Sequence, residues 1–348
     1  MLFLSPWHGD IANNYAGERT GSIANNYAGE RTGGKAGERT GSTANYAGER
    51  TGSKAEERTG SKDGKRTGCC TVVLTGDILL DRGVRRIIER YGADHLFTRG
   101  VDSVLRRAQV VVGNLECPAT SIKAPVQKRY IFRGEPSWLD VLRRHGFTHL
   151  NLANNHSIDQ GREGLTDTQQ NIRQAGMVPI GAGRTMAEAA QPVLLARQPR
   201  QVWLVPSLRL ALENYPYLTN RPCVSQEPMD SLLERVNHLR RSDPTAVIIV
   251  SLHWGVEHTL EPVARQRTDA RQLVMAGADV LVCHHSHTLQ SVETFRGRQI
   301  YYSIGNFIFD QSKPINSRAC MVQLTVNEKD LEVKSLPIEI RRCVPQLR

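Results

Sequence analysis

Residues 277–290 read GADVLVCHHSHTLQ. The short run from Asp279 to Val282 has the length and β-branched character of a buried strand, and it ends in Cys283-His284-His285-Ser286-His287. Four other runs share that plan. Thr71-Val72-Val73-Leu74-Thr75 ends in Gly76-Asp77, and Val110-Val111-Val112 ends in Gly113-Asn114-Leu115-Glu116. Thr148 to Leu152 ends in Ala153-Asn154-Asn155-His156, and Ala246 to Leu252 ends in His253-Trp254-Gly255. Helical stretches lie between them, as where Leu232, Leu233, Val236 and Leu239 recur at helical spacing. Strands alternating with helices predict an α/β fold with βαβ connections and buried sheets.

The polar residues sit at the strand ends. In open α/β sheets, ligands bind outside the carboxyl ends of strands. Five such ends would bring Asp77, Glu116, Asn155, His253, His285 and His287 into one cleft. Taken singly, each has a plain structural role: Asp77 as a helix cap, Glu116 as a solvated loop carboxylate, Asn155 as a turn residue, His253 as a satisfied buried histidine. The pair His285 and His287 is different. On a strand the two share one face, and in a turn they could still converge on a cation. Imidazole, carboxylate and amide oxygen together suit a divalent ion such as Mn, Fe or Zn.

The chain has 348 residues, enough for one large domain or two ordinary ones. Hydrophobic residues are 39% and aromatics 6%, and the shortfall lies in the first 68 residues. There IANNYAGERTGS (11–22) is followed by IANNYAGERT (23–32), and ERTG recurs at Glu18, Glu30, Glu38, Glu49 and Glu57, with a variant at Lys65. The spacing is too irregular for a stacked solenoid. The segment has no Leu, Val or Met after residue 10, so nothing offsets the roughly 1–2 kcal/mol per residue that ordering costs. Residues 1–68 are expected to be a disordered low-complexity repeat: translated tandem-repeat DNA from a start codon placed too early, or a flexible tether.

No run of eighteen apolar residues exists, so no membrane-spanning helix is expected. Met1 to Leu4 is too short for a signal-peptide core. Seven cysteines, without zinc-site spacing, argue against a disulfide scaffold and for a reducing, cytoplasmic compartment. The net charge is +10, with 35 Lys and Arg against 27 Asp and Glu after residue 68. Pairs such as Arg85-Arg86, Arg143-Arg144 and Arg240-Arg241 read as solvated helix faces, so no nucleic-acid partner is expected.

Six segments, in order, carry a resemblance: TGDILLD (75–81), VVGNLE (111–116), LANNHSIDQGREGLTDT (152–168), SLHWGVEH (251–258), GADVLVCHHSHTLQ (277–290) and YYSIGNFIFDQ (301–311). From about Thr71 to Asp330 the chain resembles the CapA family of poly-γ-glutamate capsule biosynthesis proteins, related to the calcineurin-like metallophosphoesterases. The resemblance implies a four-layer αββα sandwich over residues 69–330, then a C-terminal strand and tail over 331–348. It implies metal ligands at Asp77, Glu116 as a bridge, Asn155, His253, His285 and His287, holding one or two divalent transition-metal ions (Mn, Fe or Zn). His156 would be the acid or transition-state donor, with Asp159 orienting it or shaping the turn. Asn114, Glu257, Gln290 and Asn306 would support the ligands or touch substrate.

Three departures from the related pattern stand out. Leu79 occupies the place of a histidine ligand, which would weaken one ion's position. His284 replaces a glycine of the wider superfamily. Cys283 and Ser286 stand where CapA members usually have Gly and Pro, which could loosen the turn, or Cys283 could simply fill a strand end. The stretch from Glu213 to Glu227 reads as a long loop beside the cleft. The implied function divides in two. One reading is a metal-dependent hydrolase acting on a phosphoester or a polymer amide. The other is an accessory capsule protein that binds polyglutamate or a synthase partner without chemistry. A third, an inactive relic, conflicts with the retention of His253, His285 and His287. The resemblance points to the cell envelope, in contrast to the cytoplasmic reading of the composition.

Overall fold

In the computed structural model, residues 68–212, 218–311 and 313–348 are described. The repeat reading of residues 1–67 and the loop reading of residues 213–217 lie outside them. Each of the five apolar runs is a strand: Cys69–Ile78, Val110–Leu115, His149–Asn151, Val247–His253 and Val280–His284. They divide between two sheets. The first sheet runs Val344–Leu347, Leu331–Arg341, Arg318–Asn327, Cys69–Ile78, Val110–Leu115, His149–Asn151, Val178–Ile180, and Asn306–Ile308 also pairs with Cys69–Ile78. The second runs Val292–Phe295, Arg298–Tyr301, Val280–His284, Val247–His253, Val202–Leu208, Val193–Ala196. Residues 331–348 therefore form two antiparallel strands that extend the first sheet.

Successive side chains on a strand point to opposite faces, and the apolar clusters follow that period. Val72, Leu74, Val110 and Val112 meet Val202, Leu204, Val247, Ile249, Val280 and Val282 in a layer between the sheets. Val73, Val111 and Leu150 face the other way, clustering with Val84, Ile88, Leu105, Leu142, Leu165 and Ile172 of the helices Arg82–Tyr91, Arg99–Arg107, Leu139–Arg144 and Gly161–Gln174. On the second sheet Val205, Ile248, Val250 and Leu281 cluster with Leu232, Val236, Ala270 and Leu273 of Met229–Ser242 and Ala264–Ala276. Helices, sheet, sheet and helices make the four-layer αββα sandwich. Burying each such side chain stabilises by about 1.5–3 kcal/mol. Strands buried on both faces have no reason to alternate in polarity, which is why they read as unbroken apolar runs. Cys283 is fully buried within the second sheet's helix-facing cluster and fills that strand's end. No helix among the described residues is long and apolar enough to cross a membrane.

Candidate metal centre

The strand order places one rim of both sheets together. Asp77 ends Cys69–Ile78, and Glu116 follows Val110–Leu115. Asn155 and His156 lie just past His149–Asn151, and His253 ends Val247–His253. His285 and His287 follow Val280–His284 in a turn where both adopt positive φ, 93° and 55°. Non-glycine residues rarely hold that conformation, and such strain clusters at functional sites. Ser286 Oγ secures the turn through Thr288 Oγ1 at 2.9 Å and Thr288 O at 3.1 Å. The carboxylates thus come from the first sheet and the imidazoles from the second.

Two groups of donors result, and Glu116 belongs to both. In the first, His253 Nε2 lies 2.8 Å from Asn155 Oδ1, 3.2 Å from His285 Nδ1 and 3.5 Å from Glu116 Oε1. In the second, His287 Nδ1 lies 3.2 Å from Asp77 Oδ2 and 3.9 Å from Glu116 Oε2. Ligands about 2.1 Å from one ion are about 3.0 Å apart in octahedral and about 3.4 Å apart in tetrahedral geometry. Most of the observed separations fall in or near that range. Asp77 Oδ2 and both Glu116 oxygens are buried without a hydrogen-bond partner. Leaving such oxygens bare costs several kcal/mol, so the donor set fits one divalent ion in each group, with Glu116 between them. Carboxylate, imidazole and amide oxygen suit the divalent ions expected.

The electrostatics follow from packing these carboxylates and imidazoles together out of water. Burial alone would raise the Asp77 carboxyl, but the close imidazoles of His284 and His287 outweigh it and hold Asp77 well below the usual carboxylate range. Burial and then the charge of Asp77 push Glu116 well above it. Burial opposes charge on His287, yet Glu116 and Asp77 raise it to about 9. Burial and the neighbouring His287 depress His285 to about 4, and burial with His285 holds His253 well below its ordinary value.

The residues behind the donors are hydrogen-bonded into place. Asn114 Nδ2 donates to Asp77 Oδ1 at 2.8 Å, and its Oδ1 accepts from Asn151 and Asn154. His284 Nδ1 lies 3.3 Å from the same Asp77 oxygen. Together they occupy Oδ1 and leave Oδ2 facing His287. His156 Nδ1 is 2.8 Å from Asp159 Oδ2, and Phe132 N donates to that oxygen at 2.8 Å. Lys128 Nζ completes this cluster, 2.7 Å from Asp159 Oδ1 and 3.3 Å from His156 Nδ1. Burial lowers the pKa of His156.

Glu257 and His156 line a cleft of about 580 Å³ over the site, with Arg82, Tyr130, His258 and Lys313. Gln290 is placed differently: its amide donates to Thr259 O and Oγ1, both at 3.1 Å, and so braces a loop. Leu79 is fully buried among apolar side chains and offers no donor. Sequence reading missed three contributors. Asn154 builds the turn beside Asn155 by accepting from His156 N, Ser157 N and Ser157 Oγ. His284 was seen only as a missing glycine. Lys128 lies in a segment without periodicity and gave no signal.

The sequence model of the family described as "Bacterial capsule synthesis protein PGA_cap" matches residues 71–311. The chain belongs to that family. Among its relatives is the "Capsule biosynthesis protein CapA" of Bacillus anthracis, 29% identical over 79% of this chain and 69% of the relative. The "PGA biosynthesis protein CapA" of Bacillus subtilis is 29% identical over 78% and 71%. A "Probable polyglutamine synthesis accessory protein" of Mycobacterium tuberculosis is 26% identical over 78% and 85%. Among solved structures, the sulfate thiohydrolase SoxB of Thermus thermophilus aligns with 73% of this chain and 45% of its own, at TM-score 0.42 and 12% identity. The family match spans every donor described above, from Asp77 to His287.

Proposed function

We propose that the protein is a metal-dependent hydrolase of capsule polymer synthesis, acting on a phosphoester or on an amide of a polyglutamate chain. One observation carries this reading: Glu116 is shared by two donor groups, with both oxygens buried and bare. Divalent ions bound there supply Lewis acidity toward a phosphoryl or acyl oxygen. The chain's own residues do the rest. Asp159, held by Lys128, accepts from His156 Nδ1, so Nε2 is the atom left to move a proton to the leaving oxygen or nitrogen. Phe132 packs over that ring at 4.2 Å between centroids and holds its plane. Lys313 brings a positive charge to the cleft, where an anionic polymer or phosphoester would bind, while Arg82 is paired there with Asp310.

The test pairs metal content, by elemental mass spectrometry of the full chain, with turnover of an aryl phosphodiester and of γ-glutamyl oligomers. Two ions per chain are expected. His156→Ala should retain them and lose turnover at least about a hundredfold. Absence of bound metal, or equal turnover in the variant, refutes the proposal. A second reading draws on the accessory role in the printed name of the mycobacterial relative. There the protein binds polyglutamate or a synthase partner, and the same assay would show metal, no turnover, and polymer binding indifferent to His156→Ala.

A further inference from the structure

The two donor groups are unequal. Glu116, Asn155, His253 and His285 give the first group four protein donors. Asp77, Glu116 and His287 give the second only three. We propose that Asn306 Oδ1 is the fourth ligand of the second ion.

Backbone register puts it there. Asp77 is paired with Asn114 on one side and with Asn306 on the other, across parallel strands. Residues in register point to the same face of a sheet, so Asn114, Asp77 and Asn306 form one row along the rim. The approach on the Asn306 side is unusually close. Asp77 N donates to Gly305 O, and a Cβ built on Gly76 would lie 2.0 Å from that oxygen. Only glycine at 76 allows the two strand ends to touch, and Gly305 adds a positive φ of 75°. Two glycine-polar pairs, Gly76-Asp77 and Gly305-Asn306, therefore deliver two oxygen donors to one spot.

The orientation of the amide is also determined. Asn306 Nδ2 is surrounded by acceptors: Gln311 Oε1 at 3.1 Å, His287 O at 3.4 Å and Asn316 O at 3.4 Å. The nitrogen must face them, so the oxygen faces the site. Oδ1 lies 3.0 Å from His287 Nδ1, and that same imidazole nitrogen faces Asp77 Oδ2 and Glu116 Oε2. Asn306 thus approaches His287 on its ligating side. The separations of 3.0 Å to Asn306 and 3.2 Å to Asp77 are those of donors gathered round one ion, with Glu116 a little further off at 3.9 Å. The arrangement mirrors the first group, where Asn155 Oδ1 stands 2.8 Å from His253 Nε2. Each group would then hold its ion by the shared carboxylate, an asparagine oxygen and imidazole, with Asp77 on one side and a second imidazole on the other.

This inference rests on the metal reading above, and its test separates the two. Stripped full-length protein is titrated with Co(II), following the visible absorption band and the number of ions bound at equilibrium. Wild type should take up two ions. Asn306→Ala should take up one with unchanged affinity and bind the second at least about tenfold more weakly. Its far-UV spectrum and thermal midpoint before titration show whether it is folded. If it is not, Asn306→Asp decides: a carboxylate in the same place should bind the second ion at least about tenfold more tightly and change the band. Two ions in Asn306→Ala with wild-type affinity, or an Asp variant indistinguishable from wild type, overturns this inference and leaves the metal reading intact. One ion in wild type also overturns it. No ion in wild type overturns both.

Discussion

Replacing Asp159 by Asn strands the Lys128 ammonium in the protein without a counter-charge. The two groups are 2.7 Å apart, with side chains 5% and 0% exposed, so solvent screens little of their attraction. At an effective dielectric of ~20 that attraction is about 6 kcal/mol. Much of it offsets the desolvation of both ions, and removing one partner of such a pair costs about 3–5 kcal/mol. For a domain of this size the thermal midpoint should fall by roughly 6–20 °C. Lys128→Met removes the stranded charge, so the double variant should recover at least about 2 kcal/mol over Asp159→Asn alone. The assay is a double-mutant cycle by urea unfolding, followed by far-UV circular dichroism with chelator present so that metal binding does not contribute. An Asp159→Asn variant within about 1 kcal/mol of wild type, or singles whose effects simply add, would refute the reasoning.

Two further outcomes follow from the same geometry. In the metal-free protein His287, raised to about 9, carries a proton at pH 7 that a metal must displace. Affinity for the second ion should therefore rise roughly tenfold per pH unit from 7 toward 9 and level off above, with proton release measurable by calorimetry in buffers of different ionisation heat; an affinity flat over that range contradicts it. Gly76→Ala forces a methyl against Gly305 O, so a loss of about 3 kcal/mol is expected in urea unfolding, together with weaker uptake of the second ion; a variant as stable as wild type would show that the strands can part without cost.

The parallel strands were legible because each is buried on both faces and ends in a polar residue. Thr71 to Thr75 lies within Cys69–Ile78, and Ala246 to Leu252 overlaps Val247–His253. The division of those strands between two sheets was not legible, since Val72 and Val247 look alike in sequence and differ only in which sheet they enter. Val202–Leu208 was hidden by Pro206, which lies beyond the stretch paired with Val193–Ala196 and so sits where one neighbour is absent. Leu331–Arg341 mixes exposed, half-buried and buried residues and gives no clean run, so the strand expected there rested on the resemblance alone. At the site, Asp77, Glu116, Asn155, His253, His285 and His287 announced themselves as polar residues after apolar ones. Lys128 could not, because a coil carries no period. Gln290 has the right chemistry and neighbourhood, but its amide is held by Thr259, a pairing that only the tertiary structure reveals.

The donors are split between the two sheets, carboxylates on one and imidazoles on the other, and this would make a bound cation a gauge of the sandwich itself. Metal bound there would span the apolar layer at its rim, like a rivet through two plates. By linkage, whatever it gains by holding both plates in place is added to folding stability as RT ln(1 + [L]/Kd). The relation runs in reverse. A substitution deep between the sheets, at Val112 or Val282, touches no donor. It alters the spacing of the plates, so it should shift metal affinity as well as folding stability.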